Sequence, residues 1–196
     1  MGSGTRPPAS RPYVSRGGVK LKAALDAFQL AVGGLCCADL GASTGGFTDC
    51  LLQHGAARVY AIDVGYGQLA WKLRSDERVV VMERTNARHL ESLPEPIDLL
   101  VADLSFISLH KVMPAMARIA PGAAAVLLIK PQFEAGPGQV SRGGVIRDAG
   151  LRDQTVQRVV AELNDFGCKI FGHIPSPIAG AKKGNIEELL YLDLPA

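Results

Sequence analysis

A glycine-rich turn at residues 41–46 constrains the fold of this chain more than any other stretch. It follows a short apolar run at residues 35–40, and a helical pattern begins after it near Thr48. The stretch therefore predicts a strand, a tight turn and a helix, which together bring backbone N–H groups and a helix N-terminus against a nucleotide-like ligand. Glycine suits such a turn because a Cβ would hinder positive φ angles and block the close approach of a ligand.

Three ligand classes compete for this turn. A phosphate-binding P-loop needs lysine after its last glycine, but Phe47 stands there, and a dinucleotide fingerprint needs glycine where Ser43 stands. The remaining D-x-G-x-x-x-G pattern favours S-adenosylmethionine, although a tight turn without a ligand stays possible. A second predicted strand ends in Asp63, 22 residues after Gly41, where a ribose diol is commonly bound. The expected cofactor-binding residues are Asp39, Gly41, Ala42, Ser43, Gly45, Gly46, Phe47, Asp63, Val64, Asn86 and Asp103.

Alternating strand and helix patterns predict an α/β fold, a doubly wound and mostly parallel Rossmann-like sheet with helices on both faces. The seven predicted strands cover residues 35–40, 58–64, 79–82, 97–101, 123–129, 168–174 and 188–194. The predicted helices cover residues 17–28, 48–55, 67–74, 87–93, 108–120 and 148–166, and residues 133–147 are predicted to be a loop. Ligands of such sheets bind at the carboxyl ends of the strands, where Asp39, Asp63, Asp103 and Lys130 are expected.

Composition predicts one soluble globular domain, because 47% of the 196 residues are hydrophobic and 20% are charged. No apolar stretch approaches the roughly 20 residues that span a bilayer. The four cysteines do not have a metal-ligand spacing, so we expect reduced cysteines, a cytoplasmic protein and no metal site.

Basic residues are concentrated at the start of the chain. Residues 1–22 contain five basic and no acidic residues, which leaves the remainder with 16 basic and 19 acidic residues. Such a distribution suits a polyanion such as RNA, although a solvated tail would look the same. We expect residues 1–13 to be a disordered basic arm or the remnant of an expression tag, and residues 14–196 to form the domain. The expected RNA contacts are Arg6, Arg11, Arg16, Lys182 and Lys183.

Five segments, in the same order, resemble the TlyA (hemolysin-A-like) family, whose members contain an FtsJ-type RNA methyltransferase domain. The segments are Tyr13–Leu21, Asp39–Asp49, Asp103–Ser108, Lys130–Glu134 and Gly184–Glu187. The resemblance covers residues 12 to about 194. It implies S-adenosylmethionine-dependent 2′-O-methylation of ribosomal RNA, with cytidine as the expected nucleoside and ribosomal RNA or ribosomal subunits as partners. Family members usually begin with an S4-type RNA-binding module. This sequence has only the basic arm in its place, so we expect a truncated or shorter relative.

The resemblance also implies a catalytic tetrad of Lys20, Asp103, Lys130 and Glu187, with Glu188 as a shifted alternative to Glu187. Only a neutral lysine can accept the hydroxyl proton, and burial favours the neutral form. Lys130 follows the most apolar strand, so we expect it to be the general base. We expect Lys20 to be solvated on an amphipathic helix and to position the ribose.

Three other functions stay open at the level of the sequence. The family's historical name allows a membrane-active, hemolysin-like protein. An RNA-binding ribosome-assembly factor with a degenerate cofactor site, or an O-methyltransferase of small molecules, would share the same fold.

Overall fold

The computed structural model describes residues 12–136, 138–180 and 184–196. Within these residues, seven strands form one sheet in the order β3-β2-β1-β4-β5-β7-β6. Strands β1 to β5 are parallel, and β7 runs antiparallel to both β5 and β6. The strands are β1 (Cys36–Leu40), β2 (Arg58–Ile62), β3 (Val79–Met82), β4 (Leu99–Ala102), β5 (Ala124–Ile129), β6 (Lys169–Pro175) and β7 (Glu188–Asp193). The predicted mostly parallel, seven-stranded sheet is confirmed.

Helices cover both faces of this sheet, as predicted. They are α1 (Gly17–Ala27), α2 (Gly46–Gln53), α3 (Trp71–Arg74), α4 (Met113–Ile119), α5 (Pro131–Glu134) and α6 (Ala149–Asp165). Side chains of α1, α2 and α3 pack on one face of the sheet, and side chains of α4 and α6 pack on the other. Strand β5 lies between the two layers and is buried from Ala125 to Ile129, which explains its continuous apolar run.

Two predicted helices are shorter than the sequence pattern indicates. The pattern at residues 108–120 folds as a 3₁₀ turn at Leu109–Lys111 followed by α4, whose first turn contains Pro114. Proline lacks an N–H group and disfavours helical geometry in the preceding residue, so the helix starts late. The pattern at residues 67–74 is helical only over Trp71–Arg74, because Gly67 adopts a φ of 68° and Ala70, directly before the helix, has an extended ψ of 139°.

Two further boundaries differ from prediction. Residues 87–93 contain only a 3₁₀ turn at Ala87–His89, and the predicted loop at residues 133–147 begins inside the short helix α5. None of the helices in the described part of the chain is long and apolar enough to cross a membrane.

The segment before α1 is packed against the domain. Tyr13, which the prediction assigned to the disordered arm, is buried in the core with 8% of its surface exposed. Gln53 of α2 donates a hydrogen bond to the Pro12 carbonyl, and the Val14 N–H donates to Asp49. The rest of the predicted arm, residues 1–11, lies outside the described residues.

Candidate active site

The glycine turn joins β1 to α2 at the carboxyl edge of the sheet. Gly41 adopts a φ of 83°, and a Cβ there would lie 2.7 Å from the carbonyl oxygen of Asp103. The Gly41 and Ala42 N–H groups donate to the Ile62 carbonyl, and the Ser43 N–H donates to Asp63 Oδ2 at 2.8 Å. The ends of β1, β2 and β4 are therefore held against one another by this turn, which only glycine at position 41 allows.

A first cavity of about 380 Å³ opens beside the turn. The predicted residues that line it are Gly41, Ser43, Asp63, Val64, Asn86 and Asp103. Asp63 accepts hydrogen bonds from the N–H groups of Ser43 and Gly65, so its carboxylate is fixed at the cavity wall. The side-chain oxygen of Asn86 accepts from the Arg88 N–H, which caps the 3₁₀ turn after β3.

Sequence reasoning missed several other residues of the first cavity. They are Ile62, Gln68, Thr85, Ala87, Arg88, Leu104, Ser105, Phe106, Ile107 and Val112. Most of them follow the carboxyl ends of β2, β3 and β4, and this position was the only signal that could have identified them.

A second, smaller cavity of about 70 Å³ shares Gly41, Ser43 and Asp103 with the first. The predicted residues Ala42, Gly46 and Phe47 line it. Nine residues of the predicted cofactor set therefore line these two cavities beside the turn, and the other two do not.

Those two residues, Asp39 and Gly45, point away from the cavities. Asp39 is fully buried, and one of its carboxylate oxygens accepts a hydrogen bond from Thr48 Oγ1 at 2.6 Å. The other oxygen has no hydrogen-bond partner among the described residues. Burial raises the pKa of Asp39 to about 7, an effect that the Thr48 hydrogen bond opposes. Gly45 faces α3, since a Cβ there would lie 2.2 Å from Leu73 Cδ1.

A third cavity of about 220 Å³ is lined by all four residues of the predicted tetrad. Lys20, Asp103, Lys130 and Glu187 all line it, together with Ser15, Arg16 and Gly17. Asp103 lines all three cavities, so it stands where the tetrad meets the space beside the glycine turn.

The tetrad forms two ion pairs. Lys20 Nζ lies 2.5 Å from Glu187 Oε2. Lys130 Nζ lies 2.5 Å from Asp103 Oδ1 without hydrogen-bond alignment, and it contacts Ser105 Oγ at 2.8 Å. The two lysines and two carboxylates balance in charge, which is the arrangement that makes buried ions tolerable.

The structure bears on two expectations about the tetrad, the solvation of Lys20 and the choice between Glu187 and Glu188. Lys20 is 7% exposed and Lys130 is 8% exposed, so the expectation that Lys20 is solvated is wrong, because α1 turns this side chain toward Glu187. Glu188, the alternative acid, contacts His173 of β6 instead and does not line the third cavity.

Among the predicted RNA contacts, the structure describes only Arg16, which is exposed at the rim of the third cavity. Arg6, Arg11, Lys182 and Lys183 lie outside the described residues. Within the described ranges, no group of three His, Cys, Asp or Glu side chains could hold a metal ion.

Comparison with known proteins assigns the family. The sequence profile of the FtsJ-like methyltransferases matches residues 13–193. The chain belongs to this family. The 16S/23S rRNA (cytidine-2′-O)-methyltransferase TlyA of Mycobacterium tuberculosis is 53% identical over 187 residues, which are 94% of this chain and 69% of that protein.

Solved structures agree with this assignment. A hemolysin candidate from Streptococcus thermophilus superimposes with a TM-score of 0.91 at 44% identity, covering 98% of this chain and 70% of that one. An S-adenosylmethionine-dependent methyltransferase from Listeria monocytogenes, only 14% identical, superimposes with a TM-score of 0.66 and covers 93% of this chain and all of that one. The second likeness shows that the sheet is the Rossmann-like sheet of methyltransferases.

S-adenosylmethionine is the cofactor of this fold and family, and the residues present fit it. The absent Cβ at Gly41 lets a ligand approach the turn, and the Asp63 carboxylate can accept hydrogen bonds from a ribose diol. Leu104, Ile107 and Val112 supply apolar wall for a base.

Proposed function

We propose that this chain methylates the 2′-hydroxyl of a cytidine ribose in ribosomal RNA, with S-adenosylmethionine as methyl donor. The observation that carries the proposal is the position of Asp103, which lines both the cavity that fits the cofactor and the cavity that contains the tetrad. A ribose hydroxyl bound beside Asp103 would therefore lie next to the methyl group. The activity named for the Mycobacterium tuberculosis relative supports the choice of ribosomal RNA and cytidine.

The tetrad can perform the protein's part of this reaction. When bound, the cofactor supplies an activated methyl group, so that a C–O bond forms as a C–S bond breaks. Lys130 must first release its own proton, against the attraction of the Asp103 carboxylate, before it can take the hydroxyl proton, and Asp103 and Ser105 hold the lysine in place. The Lys20–Glu187 pair lines the same cavity and orients the ribose. Orientation of this kind contributes up to roughly 7–11 kcal/mol to a reaction of two molecules.

Burial does not distinguish the two lysines, but position does. Lys130 contacts Asp103, which borders the first cavity, whereas Lys20 contacts Glu187, which lines only the third. We therefore keep Lys130 as the base. Arg16 stands at the rim, where a cation would meet the phosphate that flanks the target ribose. A ribosomal substrate also places the reaction in the cytoplasm.

A methyl-transfer assay tests the proposal. The full chain is incubated with S-adenosylmethionine labelled in the methyl group and with either ribosomal subunits or free ribosomal RNA. A 2′-O-methyl group blocks alkaline cleavage on its 3′ side, so the modified nucleotide survives as an alkali-resistant dinucleotide. Label in alkali-resistant dinucleotides that contain cytidine is expected, and Asp103→Ala should abolish it. Label found only in bases, or no transfer despite measured cofactor binding, would show that the proposal is wrong.

A further inference from the structure

Glu134 is a buried acid that the proposed reaction does not use. It ends α5, four residues after Lys130, and only 8% of its surface is exposed. Its carboxylate accepts one hydrogen bond from Ser108 Oγ at 2.6 Å and another from the Leu109 N–H at 2.9 Å. Burial raises the pKa of Glu134, and these two hydrogen bonds oppose that effect.

The two partners of this carboxylate belong to the loop that begins at Asp103. Glu134 therefore joins the segment after β4, which contains Asp103, to the segment after β5, which contains Lys130. It makes this connection beyond the ends of both strands.

The sheet itself does not fix the contact between Lys130 and Asp103. The β4–β5 ladder ends with Ala102 opposite Leu127, so Asp103 and Lys130 both lie outside it and are displaced from each other by two residues. Their 2.5 Å approach depends on the paths of the two loops.

Other contacts of α5 reinforce this connection. The Arg158 guanidinium of α6 donates to the carbonyl oxygen of Glu134 and so fixes the end of the helix from its other side. The rings of Phe133 and Phe106 also meet across the two loops, with centroids 5.0 Å apart, but Phe106 is 77% exposed. Among these contacts, the buried carboxylate makes the more specific link between the loops because its hydrogen bonds fix direction as well as distance.

We infer that Glu134 is a positioning residue that holds Lys130 and Asp103 in register by bridging the loops after β4 and β5. Its role in methyl transfer rests on the proposed function, but its effect on the Lys130–Asp103 pair does not. Loss of the bridge would let the two loops separate and expose Lys130.

Four variants of the full chain test this inference. Glu134→Ala removes both hydrogen bonds, whereas Glu134→Gln can accept from the Leu109 N–H and donate to Ser108 Oγ. Ser108→Ala removes one bond and serves if Glu134→Ala does not fold. Asp98→Ala is the matched control, because Asp98 accepts a hydrogen bond from the Cys36 N–H and so links β1 and β4 at the opposite edge of the sheet.

The first measurement is the acetylation rate of Lys130 by a limiting amount of acetic anhydride, read by peptide mass spectrometry and normalised to Lys169. We expect a several-fold rise in Glu134→Ala, a smaller rise in Ser108→Ala, and the wild-type rate in Glu134→Gln and Asp98→Ala. The inference is overturned if Lys130 is acetylated no faster in Glu134→Ala than in the Asp98→Ala control. If Glu134→Ala does not fold, the same comparison is made with Ser108→Ala.

The second measurement is the single-turnover rate of methyl transfer, with cofactor affinity measured in parallel. Displacement of a reacting group by about 1 Å can cost on the order of 100-fold in rate, so Glu134→Ala should lose about that factor with cofactor affinity unchanged. Glu134→Gln should restore the rate. A wild-type chain that transfers no methyl group would refute the proposed function, while the acetylation result would still decide the role of Glu134.

Discussion

Asp39→Asn should remove a pH dependence from the free energy of unfolding of this protein. Asp39 is fully buried, and one of its two oxygens has no hydrogen-bond partner in the described structure. Burial raises the pKa of the folded-state carboxyl from 3.8 to about 7. The folded protein therefore binds this proton more tightly than the unfolded chain does. Asp39 consequently lowers stability as pH rises between those two values, and its effect is constant above about 7.

The size of the effect follows from this gap. Each pH unit within the window costs about 1.4 kcal/mol, so raising the pH from about 5 to about 8 should cost the wild type about 3 kcal/mol through Asp39 alone. Asparagine does not titrate, and Thr48 can still donate to its side-chain oxygen. Its buried NH₂ group should instead impose a cost that is the same at every pH, about 1–3 kcal/mol.

Urea unfolding at pH 5, 6, 7 and 8, followed by circular dichroism in the absence of cofactor, measures the difference between wild type and Asp39→Asn. At pH 5 the variant should be less stable than the wild type by about 1–3 kcal/mol. Because the wild type loses about 3 kcal/mol toward pH 8, the variant should there be as stable as the wild type or more stable. Asp98→Asn alters an exposed carboxylate and serves as the control. Its free energy of unfolding should change with pH between 5 and 8 in the same way as that of the wild type. A difference between wild type and Asp39→Asn that stays constant across the series would refute the reasoning.

The other predictions concern the cofactor, the base and RNA. Asp63→Ala should weaken S-adenosylmethionine binding by at least about tenfold in calorimetry, because two charge-assisted hydrogen bonds of the ribose would be lost; unchanged affinity would remove Asp63 from the site. Lys130→Arg should abolish single-turnover methyl transfer and spare cofactor affinity, since arginine stays protonated; a near-normal rate would assign the base elsewhere. RNA binding by this chain should be weak and steeply salt-dependent, with a slope of about 0.9 per duplex phosphate contacted and less on single strands, and tight binding that ignores salt would contradict this.

The sheet and its ligand-binding edge could be predicted because both follow from local sequence patterns. Alternating strands and helices specify the parallel sheet, and parallel strands bring Asp63 and Asp103 to one edge whatever their separation in sequence. Local patterns say less about the turn itself. Asp39 follows the same rule of strand-end position but lies beneath the turn, because successive residues of a strand point to opposite faces of the sheet. Which face meets the ligand depends on how the turn folds back.

For the Lys20–Glu187 pair, the local sequence pattern could have predicted that Lys20 is buried but not which acid it contacts. These residues are 167 positions apart, and only the family resemblance connected them in the sequence. A local signal was nevertheless present, because Lys20 precedes Leu21 and lies one helical turn before Ala24, on the apolar stripe of α1. A lysine on that stripe must either reach solvent or meet a buried acid. The pattern thus predicts a buried partner for Lys20, but the identity of that partner follows only from the packing of α1 against the sheet beside β7.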